Sequence, residues 1–129
     1  MFTAPSLQHR WYAIAGNHDH YGNVSAQVAY TKLSKRWFFP ALYYTETVSL
    51  SGGGSLQFVF IDTVLLCGQT HPTLRDLPPT GPVSDAAAED QWAWIEQTLS
   101  TSTADWLIVA GHYPGQCTAE DCTAHYHFL

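Results

Sequence analysis

Two short segments hold side chains fit for chemistry. Gly16-Asn17-His18-Asp19 and Gly111-His112 each follow an apolar run that stops at glycine. A glycine there lets the backbone turn sharply and lets a bound group come close. Asn17 offers a neutral amide oxygen and His112 an imidazole nitrogen. Together these donors suit a borderline divalent cation such as Zn2+ or Fe2+. His18, beside Asn17, has the chemistry to donate to a bound phosphate or to exchange a proton with it. Against this stands a plainer reading, in which Asn17 and Asp19 build an Asx turn and His112 is a satisfied core histidine. The same strand–glycine–polar–histidine pattern occurs twice, which favours the functional reading.

The surrounding elements must place these loops. Trp11–Ala15 reads as a buried strand ending at Gly16, and Ser25 caps a helix running to about Lys35, with Val28, Ala29 and Leu33 on its apolar face. Phe38-Phe39-Pro40 ends that helix. Leu42–Leu50 and Leu56–Ile61 form a hairpin across Ser51-Gly52-Gly53-Gly54-Ser55. Residues 70–83, rich in proline, are a surface loop. Ser84 caps a longer helix with the stripe Ala88, Trp92, Ile95 and Leu99, leaving Trp94 at its edge. Trp106–Ala110 is a second buried strand, reaching Gly111. Helix followed by continuous apolar strand is an α/β pattern, with active groups expected on loops beyond strand ends.

Composition narrows the classes. A chain of 129 residues makes one domain. Its 46% apolar and 14% aromatic content exclude intrinsic disorder. A net charge of −6 with only five Lys and Arg excludes non-specific nucleic-acid binding. Lys32, Lys35 and Arg36 cluster as a solvated helix end rather than a phosphate-steering patch. No apolar run approaches the ~20 residues of a membrane span. Cys67, Cys117 and Cys122 are an odd set, which permits one disulfide and a remaining thiol. Asn23-Val24-Ser25 is an N-glycosylation sequon on a loop, although Met1–Pro5 shows no signal peptide. A secretory-type interior without a leader predicts that the natural N-terminus lies upstream.

The stretches 16–37 (GNHDHYGNVSAQVAYTKLSKRW), 62–68 (DTVLLCG) and 105–114 (DWLIVAGHYP) resemble the purple acid phosphatases of animals, within the calcineurin-like metallophosphoesterases. The resemblance covers residues 1–114 and implies part of an αββα sandwich, incomplete at both ends, with 115–129 as a divergent tail. It implies a phosphate-monoester substrate, a monomer, a lysosomal or secreted location, and a site pairing Fe3+ with Fe2+ or Zn2+ that clamps phosphate and activates water. Asn17 and His112 resemble two ligands of the divalent metal, and His18 the histidine that contacts substrate phosphate. Cys67 resembles a disulfide cysteine whose partner here would be Cys122 or Cys117.

The departures are equally specific. The family's first aspartate ligand, bridging aspartate and iron-binding tyrosine precede the GNHD loop, but the 16 residues before Asn17 contain no Asp or Glu. His125-Tyr126-His127 has the spacing of a later ligand pair but is expected to be a solvated tail, and Asp62 is expected to cap a strand end. The resemblance therefore predicts at most one divalent metal in this chain and no useful turnover by it alone. Two other readings remain: an inactive relative acting as a binding module, and a phosphodiesterase of the same superfamily.

Overall fold

The computed structural model describes residues 3–70, 79 and 81–113. After a 3-10 turn at Pro5–Leu7, the order is β1 (Trp11–Tyr12), α1 (Asn17–His20), α2 (Val24–Tyr30), β2 (Trp37–Phe38), β3 (Tyr44–Ser49) and β4 (Ser55–Phe60). There follow α3 (Thr63–Cys67), α4 (Asp85–Thr101) and β5 (Trp106–Ala110). The α/β expectation holds. β1 and β2 form a two-stranded parallel sheet, and β3-β4-β5 form a second sheet in that order. β3 and β4 are antiparallel from Tyr44↔Phe60 to Ser49↔Ser55, and β4 and β5 are parallel from Leu56↔Trp106 to Phe60↔Ala110.

Alternation along β4 sends its side chains to two cores. On one face Val59 joins buried Ile61, Leu66, Cys67 and Ile95, with Trp92, Trp94 and Leu99 packed around them. On the other, Phe60 and Tyr44 join Ala15 and Phe39, with Val24, Val28 and Trp37 alongside. Tyr44 fastens this second core: its hydroxyl donates to the carbonyl of Ala13 at 2.9 Å and lies 3.2 Å from that of Phe38. Burial pushes its phenol up to about 12, outweighing the favourable bond to Ala13, so it stays a neutral donor.

The hairpin and the long helix match the sequence reading, and Ser84 does cap α4, accepting from the amide of Ala87. Several other expectations need correction. Asn23, not Ser25, caps α2, accepting from the amide of Ala26 at 3.0 Å, and α2 ends at Tyr30 rather than near Lys35. The stretch before Pro40 is not merely a helix stop: Trp37-Phe38 pairs with β1, because the Trp11 amide donates to Arg36 and the Ala13 amide to Phe38. β1 itself is only two residues long, and after the Ala13 bond to Phe38 the chain continues outside the strand through Ile14 and Ala15 to Gly16. Residues 63–67 form a helix, capped by Asp62. Among the described residues β5 is paired on one side only, and Trp106, Leu107, Ile108 and Val109 are 39–66% exposed, so this strand is not buried as its apolar run implies. Trp94 is partly buried at the stripe's edge, its ring 4.8 Å from that of Tyr43. Among the described residues, no helix is long and apolar enough to cross a membrane.

Candidate functional site

The first loop closes on itself. Asp19 Oδ2 accepts from the Gly16 amide at 2.8 Å, reaching back to cap the first turn of α1, and Oδ1 accepts from Gln27 at 2.8 Å. This is a helix cap and not the Asx turn of the plainer sequence reading, since the Asn17 side chain goes to Thr70 and His112. Burial works against the Asp19 carboxylate, but the bonds from Gln27 and Gly16, with His112 and His20 nearby, hold its pKa below the usual 3.8. The segment expected to be a loop is a four-residue helix, α1, with no buried residue.

Asn17 is held from two sides. Its carbonyl accepts from Gln69 at 3.1 Å, and its amide nitrogen donates to the Thr70 hydroxyl at 2.6 Å. With the nitrogen committed to Thr70, Oδ1 is the atom that faces His112, 3.0 Å from Nε2 across 95 positions of sequence. An amide oxygen only accepts, so His112 presents Nε2–H toward it. The same spacing suits a cation. Two donors each about 2.1 Å from one metal at a right angle lie about 3 Å apart, so replacing the shared proton by a cation needs little movement.

His112 is exposed and seated by its neighbours. The Tyr113 amide donates to the Thr63 hydroxyl at 3.0 Å, and the Tyr113 hydroxyl donates to the Gly68 carbonyl at 3.1 Å. Gly16 is required for the approach itself. A Cβ there would lie 2.8–2.9 Å from three atoms of the His112 ring. His18 is exposed, edge-on to Tyr21 at 5.4 Å, and Tyr21 is tied to the Thr70 carbonyl at 2.7 Å. The two strand ends meet across sheets. β1 and β5 are not neighbours in one sheet but belong to separate ones.

A second pair was not foreseen. His20 Nε2 lies 2.8 Å from Asp62 Oδ2, and Asp62 is fully buried. Asp62 Oδ1 accepts from the amides of Val64 and Leu65, each at 3.0 Å. Gln91, also fully buried, grips the Asp62 backbone both ways, accepting from its amide at 2.8 Å and donating to its carbonyl at 3.0 Å. The sequence reading has Asp62 capping a strand end; it follows β4 but caps the helix α3. The sequence signal for the partner is the second histidine of His18-Asp19-His20, which the sequence reading did not single out.

Lys32 and Lys35 are exposed, and Arg36 donates to Gln8 at 3.1 Å. Asn23 is exposed at the start of α2. Cys67 is buried, while its suggested partners Cys117 and Cys122, and His125, His127 and the tail 115–129, lie outside the described residues.

Among the described residues Asn17 and His112 supply at most two donors for a cation, short of a complete metal site. Asn17 and His112 are two neutral donors, and both Asp19 oxygens are already occupied. Among the described residues no group of three or more His, Cys, Asp or Glu could hold a metal ion. Nothing in that set bridges a metal pair.

A family model described as Calcineurin-like phosphoesterase matches residues 2–128. Tartrate-resistant acid phosphatase type 5 of Sus scrofa is 42% identical over 127 residues, 97% of this chain and 37% of that protein. The protein of that name from Homo sapiens is 41% identical over 116 residues, 89% of this chain and 35% of its own length. Purple acid phosphatase 17 of Arabidopsis thaliana is 27% identical over 122 residues, 88% of this chain and 33% of its own length. This chain thus spans little more than a third of the relatives it matches, and by its motifs and its match across nearly all of its residues it belongs to the calcineurin-like phosphoesterase family.

Proposed function

We propose that this chain carries part of the site of an acid phosphatase that hydrolyses phosphate monoesters. The carrying observation is the Asn17–His112 contact at 3.0 Å, which joins two family motifs far apart in sequence. In this reading Asn17 Oδ1 and His112 Nε2 hold one divalent cation, Fe2+ or Zn2+. A cation so bound supplies positive charge against a phosphate oxygen. His18, on the residue after Asn17, contacts the phosphate and holds a proton for the departing alkoxide. Thr70 takes the Asn17 amide nitrogen so that the oxygen faces the cation, and Gln69 holds the Asn17 backbone carbonyl. A full dinuclear centre belongs to the family's complete site, and its Fe3+ half has no ligands among the described residues.

The donor count favours a second reading for the 129-residue chain taken alone, as an inactive module that binds a single cation. Two neutral groups and no bridging carboxylate leave two adjacent cations uncompensated. Asn23 as an N-glycosylated residue, and a secreted or lysosomal location, complete the proposal; exposure of Asn23 supports it. The purified chain, supplied with iron and zinc, is expected to bind Zn2+ and to show no turnover of a chromogenic phosphate monoester between pH 4 and 7. Zn2+ binding should vanish in Asn17→Ala and His112→Ala. Turnover that rises with metal and is lost in His112→Ala overturns the inactive-module reading, and Zn2+ binding indifferent to both variants overturns the site.

A further inference from the structure

We infer that His20 and Asp62 are positioning residues that hold Asn17 against His112, although neither touches the cation position. The inference rests on the reading of Asn17 and His112 as a cation-binding pair.

α1 needs an external anchor. It is four residues long and buries none of them, so neither its own ladder nor core packing fixes its orientation. Among the described residues, the Asp19 side chain bonds to Gly16 and Gln27, within the same stretch of chain. Asn17 is tied to Gln69 and Thr70 across 52 and 53 positions, at the start of α1; His20 ties its end across 42 positions to a fully buried point. Asp62 is pinned on every side. Its Oδ1 takes two amides of α3, and its backbone is clasped by Gln91 of α4 at both donor and acceptor. The remaining oxygen, Oδ2, is directed at His20 Nε2 at 2.8 Å, with the carboxylate fully buried and the imidazole 17% exposed.

A buried carboxylate without a donor is costly, so Oδ2 holds the ring in place and the ring holds the helix. The same turn of α1 carries Asn17 at its start, where the Oδ1–Nε2 contact depends on the helix being rotated correctly. The opposite partner, His112, is seated independently through Tyr113 on Thr63 and Gly68, which belong to α3 and its end. Asp62 caps that same α3. One buried carboxylate therefore references both halves of the pair to a common element. Groups that orient ligands in this way typically change metal affinity by about 10- to 100-fold when removed.

The readout is the ring of His112. Two-bond 1H–15N spectra of the 129-residue chain report which ring nitrogen carries the proton, and the same signals follow a titration with Zn2+. The wild type is expected to show predominantly Nε2–H at His112. His20→Ala should shift His112 to a mixture of tautomers and weaken Zn2+ binding about tenfold or more. His20→Gln, whose amide still donates to Asp62, should restore most of both. Ile95→Val, a loss of core packing on α4, should lower stability without moving His112.

A folded His20→Ala with unchanged His112 tautomer and unchanged Zn2+ affinity overturns the inference. So does a mixed tautomer in the wild type, an Ile95→Val that moves His112 equally, or a His20→Gln that behaves as His20→Ala. If His20→Ala does not fold, His20→Asn, polar but too short to reach Asp62, takes its place with the same expected shifts. If no variant nor the wild type binds Zn2+ yet His112 changes tautomer in His20→Ala, the positioning role stands and the cation reading falls.

Discussion

Gly16 shows how little room the paired loops leave. Its φ is −107°, open to any residue, so glycine is needed there for space and not for backbone freedom. A methyl group would sit 2.8 Å from His112 Cε1. Gly16→Ala is therefore expected to swing the imidazole away from Asn17, abolish the Nε2–H signature of His112, and cost about 1–3 kcal/mol by overpacking. Denaturant unfolding and ring NMR check the two effects separately. Asp19 gives a prediction in pH. Its folded pKa is depressed below 3.8, so its contribution to stability is present above that value and fades as pH falls through the folded pKa. The stability difference between wild type and Asp19→Asn should thus be largest near neutrality and close up in acid. Denaturation curves across pH 2–7 measure it; a gap that stays constant would refute the assignment. Asn17 and His112 were readable as a pair because donor chemistry and glycine placement are local features. His20 and Asp62 were not, because nothing in the sequence links two residues 42 positions apart except the fold.

At the level of elements, long regular patterns were legible and short ones were not. α4 runs 17 residues, and a stripe of four apolar positions identifies it. β2 has two residues and α3 five, too few for either period to show. A polar residue also escapes a count of apolar positions. Gln91 is as buried as any residue in α4, and its task is to satisfy the backbone of Asp62. Gln91→Leu should cost about 1–3 kcal/mol by leaving that amide and carbonyl unpaired, measured by chemical denaturation; a neutral effect would mean water replaces the side chain. Asn23 serves α2 through Oδ1, whereas a glycan attaches at the amide nitrogen, so cap and sugar are compatible on one side chain. Asn23→Ala should lower stability by about 1 kcal/mol and remove the glycan. Asn23→Ser should remove the glycan alone, which separates the two roles by mobility shift and melting curve.

Across the whole molecule, the two cores share β4, and the candidate site lies where chain leaving β1 meets chain leaving β5. The fold class was legible because helix and apolar strand alternate. The exposure of β5 was not, since an apolar run reports what a strand is suited to and not what lies beside it. Trp106 and Ile108 stand 66% and 45% exposed on an edge whose outer amides and carbonyls have no strand beside them among the described residues. Such an edge templates association. Ile108→Lys is expected to reduce concentration-dependent self-association of the chain, read by light scattering, without altering the Asn17–His112 contact.

The lack of any buried residue in α1 has a kinetic consequence. Elements with no fully buried residue open locally more readily than the core, and their amides exchange with solvent through that local event. The amides of residues 17–20 should therefore exchange with deuterium long before those of β4, even though the two segments are joined by a bond to a fully buried carboxylate. The helix that presents Asn17 behaves as a hinged bracket: it is latched by side chains, and it opens at a rate independent of global unfolding.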